Sequence, residues 1–212
     1  MTFNCTGMSQ FNVYVGANVP PNLWRSESLK SRLSSKVKTT YPCYTNFVWN
    51  TNPKTCDSDC RRISRHVSII LAAMNASLDA NLGWSLFFED DAQLNKNCQN
   101  YCLPQPVPDV CEYVTLDNRA HYVYRKDLGN GYSQSLATNG HGTAGFWFSR
   151  QFAIHMLRQA AKGGLQKPPD VFIFESARKH GICFLTGDCT VDHDDTPSLR
   201  VQHFHKNILT PC

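Results

Sequence analysis

Long apolar runs are missing from this sequence of 212 residues. No stretch approaches the roughly 18 to 20 consecutive apolar residues that a membrane-spanning helix requires. The opening Met-Thr-Phe-Asn-Cys-Thr lacks the basic and apolar regions of a secretory signal, so the chain is expected to be soluble as given, or a domain of something longer. A long run of one charge is missing as well. The net charge is +4, and basic residues are densest only between Lys30 and Lys38 and between Arg61 and Arg65. That is too diffuse for a nucleic-acid surface but enough to attract a phosphorylated ligand. There is no internal repeat and no compact hydrolase motif of the His-Glu-x-x-His kind.

The chain is rich in two things, core-forming residues and cysteine. With 42% hydrophobic residues it can bury a substantial core as one domain over residues 1–212. Its ten cysteines fall in clusters: Cys43, Cys56 and Cys60, then Cys98, Cys102 and Cys111, then Cys183, Cys189 and Cys212, with Cys5 alone. Such clustering points to disulfides and an oxidising compartment, the secretory lumen or outside the cell. The alternatives are a cytoplasmic viral or bacterial enzyme, or a zinc site from Cys56, Cys60, Cys98 and Cys102, whose spacing is not the usual ribbon. The sequons Asn4-Cys5-Thr6 and Asn75-Ala76-Ser77 agree weakly with the oxidising reading.

Strands are predicted at Phe11 to Val15, Phe47 to Trp49, Trp84 to Phe88, Cys111 to Leu116, Ile182 to Leu185 and Val201 to His205. Helices are predicted at Ser26 to Leu33 and between Arg62 and Leu82, where Ile63, Val67, Ile70, Leu71, Met74 and Leu78 recur at helical spacing and Gly83 is the stop. Another helix should follow Ser149 as its cap, burying Phe152, Ala153, Ile154 and Leu157, and a helix or turn should start at Pro168-Pro169-Asp170. Asn95 to Pro108 reads as a stapled surface loop, and Gly129 to Gly142 as loop-rich. Strands interleaved with helices indicate an α/β fold with a mostly parallel sheet.

The most informative stretch is Trp84-Ser85-Leu86-Phe87-Phe88-Glu89-Asp90-Asp91, an apolar strand running into three carboxylates. Alternation sends Glu89 and Asp91 to one side. Ligands of open α/β sheets lie outside the carboxyl ends of the strands, and two oxygen ligands there suit a hard cation, Mn²⁺ or Mg²⁺, clamping a diphosphate.

Three segments carry a family resemblance. The first is Cys60-Arg61-Arg62-Ile63-Ser64-Arg65-His66 followed by Leu86-Phe87-Phe88-Glu89-Asp90-Asp91. The second is Gly142-Thr143-Ala144-Gly145-Phe146-Trp147-Phe148-Ser149-Arg150, and the third is Pro168-Pro169-Asp170-Val171-Phe172. Their order and spacing resemble GT-A glycosyltransferases, most of all family 25, which includes lipooligosaccharide and collagen galactosyltransferases. At the N-terminal strand, where that family has Ile-Asn-Leu-Asp, this chain has Val15-Gly16-Ala17-Asn18. The resemblance implies a Rossmann-like GT-A sheet and transfer of a sugar from a nucleotide-sugar, most often a UDP-sugar, to a glycan or glycoprotein hydroxyl. It implies Mn²⁺ (or Mg²⁺) at a DXD-like motif, here Glu89 and Asp91 as ligands, completed by His203 or His205. It further implies nucleotide contacts from Val15, Gly16, Asn18, Arg65, His66, Asp90 and Thr143. Family 25 enzymes invert, which calls for a general base; Asp170 is the first candidate and Glu175 the second.

His193, with Asp194 and Asp195, is an alternative metal ligand, although Asp-Asp-Thr-Pro reads first as a turn. Trp24, Trp49, Trp84 and Trp147 read as core, with Trp147 the best candidate for stacking on an acceptor. Two other classes compete. One is a metal-dependent hydrolase using His141, His193, Asp195, His203 and His205; the other is a disulfide-rich carbohydrate-binding module with structural Ca²⁺.

Overall fold

The computed structural model describes residues 11–17, 46–51, 65–89, 92–94, 102–117, 122–138, 142–162, 169–177, 182–185 and 190–193. The expected helix at Ser26 to Leu33 and strand at Val201 to His205 lie outside these residues.

In the first half, β1 (Phe11–Ala17), β2 (Asn46–Thr51), α1 (Arg65–Asp79) and β3 (Trp84–Glu89) form a strand–strand–helix–strand series. Both β2 and β3 pair parallel to β1. α1 forms where helical spacing predicts it, and buries Val67, Ile70, Ala73 and Met74. It stops because Asn81 adopts a left-handed conformation at φ 54°. Its amide closes the last turn on Leu78 O at 3.1 Å. The sequon Asn75-Ala76-Ser77 falls inside this helix, with Ser77 buried and its hydroxyl donating to Met74 O. A sequon there is a poor glycosylation acceptor, since such acceptors are surface loops.

The second half adds β4 (Ala92–Leu94), β5 (Tyr113–Thr115), β6 (Tyr122–Gly129), β7 (Tyr132–Thr138), β8 (Gly145–Ser149), α2 (Arg150–Ala161), α3 (Pro169–Ala177), β9 (Ile182–Leu185) and β10 (Val191–His193). Eight strands make one sheet in the order β2-β1-β3-β8-β5-β9-β7-β6, while β4 and β10 pair separately. The sheet is mixed rather than mostly parallel. β5 and β9 pair parallel, but β8 runs antiparallel to both β3 and β5, and β7 antiparallel to β9. The stretch expected to be loop-rich, Gly129 to Gly142, holds β7 and the turn that pairs it with β6 as a hairpin. Its two-residue turn, Asn130-Gly131, has φ of 51° and 81°, the geometry that fits the twist of antiparallel strands. A two-residue connection can only join antiparallel neighbours.

Alternation along each strand divides the core in two. On one face α1, α2 and α3 pack on Tyr14, Phe87, Tyr113, Phe146, Phe148 and Phe184. Ser149 caps α2 by accepting from the Phe152 amide, as its sequence suggests. α2 buries Phe152, Ala153 and Met156, leaving Ile154 and Leu157 half-buried. Arg150 ties α2 to α1 by donating to Leu78 O at 2.9 Å.

On the other face, Phe11, Val13, Leu86, Phe88 and Trp147 meet Cys102 and Leu103. The described part of the proline-rich excursion is therefore a cover: Tyr132 donates its hydroxyl to Pro104 O at 2.8 Å. Trp147 is fully buried, edge-on to Phe11 at 4.8 Å, and is core rather than an acceptor platform. Cys111 and Cys183 form a disulfide between the start of β5 and β9, and Cys102 is also disulfide-bonded. The Cys102 bond removes that residue from a zinc site.

Candidate functional site at the carboxyl edge of the sheet

β1, β2 and β3 run parallel, so their carboxyl ends share one edge. α1 joins the end of β2 to the start of β3, which brings its first residues, Arg65 and His66, to that same edge. β8 is antiparallel to β3 and begins there, with Phe88 opposite Gly145. Connectivity also brings the start of α3, where Pro169 precedes Asp170, toward this edge, because α3 must return the chain to the start of β9. By strand direction and chain order, Val15, Gly16, Glu89 and the starts of β8, α1 and α3 lie toward one edge of the sheet.

Glu89 ends β3 and is only 1% exposed. The Thr143 hydroxyl donates to its Oε1, and its own amide donates to Ala144 O at 2.9 Å. Gly16 is its register partner on β1. A Cβ on Gly16 would lie 2.6 Å from the Phe87 ring and 2.7 Å from Ile69 Cγ2. Glycine here lets α1 approach the sheet. Val15 points into the core, so any ligand contact by Val15 is made by its backbone. Glu175 is exposed, and at about 100° per residue it lies about 140° around α3 from Asp170. The two acids do not share a helix face. Asn18, Asp90, Asp91, His203 and His205 lie outside the described residues.

Two features of this edge escape a reading of the sequence. Asp117, just past β5, is 2% exposed and accepts from the Ala144 amide at 2.9 Å. Its signal is the one that marks Glu89, an apolar strand ending in an acid. The second is the β4–β10 pair, which sets His193 opposite Ala92, two positions after Asp90 in the sequence. β10 is anchored in turn by Val191 N donating to Leu116 O at 2.6 Å. Among the described residues no group of three or more His, Cys, Asp or Glu side chains is gathered. The carboxylates described at this edge, Glu89 and Asp117, carry hard oxygen donors, the type that suits Mn²⁺ or Mg²⁺ rather than a soft metal.

No protein-family model matches the sequence, and no curated protein matches it either. Solved structures do. The chain is similar to a glycosyltransferase involved in the glycosylation of the major capsid of PBCV-1, with 12% identity over 93% of this chain and 99% of that one, at a TM-score of 0.49. It is similar to mannose-1-phosphate geranyltransferase from Thermus thermophilus, with 8% identity over 96% and 80% of the two chains, at a TM-score of 0.50. The architecture is a Rossmann-like GT-A fold. The comparisons do not support the narrower resemblance to family 25.

Proposed function

We propose that this protein transfers a sugar from a nucleotide-sugar, a UDP-sugar in our reading, to a hydroxyl of a glycan or glycoprotein, with inversion. The observation that carries the reading is Glu89, a buried carboxylate at the carboxyl end of an inner strand, held by Thr143 and set beside Gly16. Ligands of open α/β sheets lie just outside such strand ends, and the fold supports that placement.

In this reading Glu89 and Asp91 hold Mn²⁺ or Mg²⁺, completed by His203, His205 or His193. The register opposite Ala92 favours His193. An ion held there would supply charge to offset that of a departing diphosphate. Arg65 and His66, in the electropositive first turn of α1, are assigned to the phosphates, with Asn18, Asp90, Thr143 and the backbone of Val15 and Gly16 completing the nucleotide site. Asp170, in the first turn of α3, is the base on the acceptor hydroxyl, and Glu175 is the control.

Thermal unfolding with UDP, with Mn²⁺ and with both tests the reading. Stabilisation that requires both ligands together, and that is lost in Asp91→Ala, is the expected result. No shift with any nucleotide-sugar plus metal would sink it. A base that serves only the acceptor leaves donor binding intact, so Asp170→Asn should bind UDP-sugar normally and transfer about 10²- to 10⁴-fold more slowly.

A further inference from the structure

The segment Gly142 to Gly145 enters β8 between the ends of two neighbouring strands, and a buried carboxylate waits at each. On one side Thr143 donates to Glu89 and Ala144 O accepts from the Glu89 amide. On the other side the Ala144 amide donates to Asp117 Oδ2, and Gly145 O accepts from the Leu116 amide. Gly142 has φ 115°, a conformation side chains avoid, and a Cβ there would collide with the Asp117 carboxylate. Asp117 also bridges to Val191, the first residue of β10, whose partner strand β4 begins at Ala92. A closed circuit therefore runs from Glu89 through Thr143 and Ala144 to Asp117, on to β10 and β4, and back along the chain to Glu89.

We infer that Asp117 is a positioning residue of this site. By fixing the Ala144 amide it sets Thr143 against Glu89, and so governs affinity for the donor nucleotide, an inference that rests on the function proposed above. A buried aspartate that served only stability would leave binding by the folded protein unchanged. The hydrogen-bond geometry makes a different demand: one carboxylate orients the backbone of a segment whose side chain orients the other. Residues that orient a site's own contacts change affinity or activity by about 10- to 100-fold when replaced.

The test is a double-mutant cycle of Asp117→Ala, which removes the acceptor of the Ala144 amide, and Thr143→Val, read as UDP affinity with Mn²⁺ by calorimetry, alongside hydrogen exchange of the Ala144 amide. Each single change is expected to weaken UDP by about 10- to 100-fold, and the double variant to be no weaker than the worse single, because both act through one segment. Wild-type affinity in Asp117→Ala, or losses that multiply, overturns the inference. If Asp117→Ala does not fold, Gly142→Ala, whose added methyl would collide with the Asp117 carboxylate, should show the same loss; wild-type affinity there overturns it equally. If the unmutated protein binds no nucleotide, the transferase reading and the effect on affinity both fail, and the exchange measurement decides only whether Asp117 holds the segment. Faster exchange at Ala144 in Asp117→Ala, with exchange in α1 unchanged, upholds that hold, and unchanged or uniformly faster exchange overturns it.

Discussion

Thr143 separates what Glu89 needs from what merely fills space around it. Valine keeps the methyl and loses the hydroxyl that donates to a fully buried carboxylate. Removing a donor from a buried charged acceptor costs about 1–3 kcal/mol, so Thr143→Val should lower the unfolding free energy in urea by that amount, while Thr143→Ser stays within about 1 kcal/mol of wild type. Equal stability of all three would mean that the hydroxyl is dispensable to Glu89. Tyr132 gives a second measurement at this scale. Its phenol is buried against Pro104 O, and burial raises its pKa above the ordinary value of 10.0. Above pH 10 the unfolded chain loses the phenolic proton while the folded protein keeps it, so stability should be level up to that pH and fall beyond it. Tyr132→Phe should flatten that alkaline fall; an unchanged slope would assign it to other groups. Glu89 is legible in the sequence because an apolar run points at it. Asp117 follows the same pattern and escapes notice, since nothing local says that Gly142 and Ala144 will fold against it.

Elements with a clean period are legible in the sequence, and those without one are not. α1 announces itself through apolar residues three and four apart, and α2 through Ser149 as its cap. The β6–β7 hairpin hides because Gly129, Asn130, Gly131, Ser133 and Ser135 look like loop. Its real signature is Asn130-Gly131, which supplies two successive left-handed residues. Gly131→Ala should therefore destabilise by about 1–2 kcal/mol in a urea titration, because an L side chain opposes that backbone. Asn130→Gly, which removes such opposition, should not. Equal behaviour of the two variants would show that the turn is not the element's determinant. The mixed sheet has the same origin: the hairpin and the antiparallel entry of β8 replace crossovers that interleaved helices suggest.

Pairing of the cysteines belongs to the whole molecule, and composition can foretell its existence but not its partners. Cys111 and Cys183 sit in different clusters, 72 residues apart. They meet only because the chain leaves β5, builds the hairpin, β8, α2 and α3, and returns as β9 parallel to β5. Ten cysteines admit too many connectivities for spacing to select that one. A bridge closing a loop of this length restricts the unfolded chain by about 4 kcal/mol. For a chain of this size each kcal/mol is worth about 2–4 °C, so the double variant Cys111→Ala/Cys183→Ala should melt on the order of 10 °C below wild type under non-reducing conditions. With reductant present throughout, the gap should close, because both proteins then lack the bridge. Counting thiols in the denatured, unreduced protein completes the argument. A count near ten, together with equal melting temperatures, would mean that this bridge is not formed, and would remove the oxidising compartment inferred from the cysteine clusters.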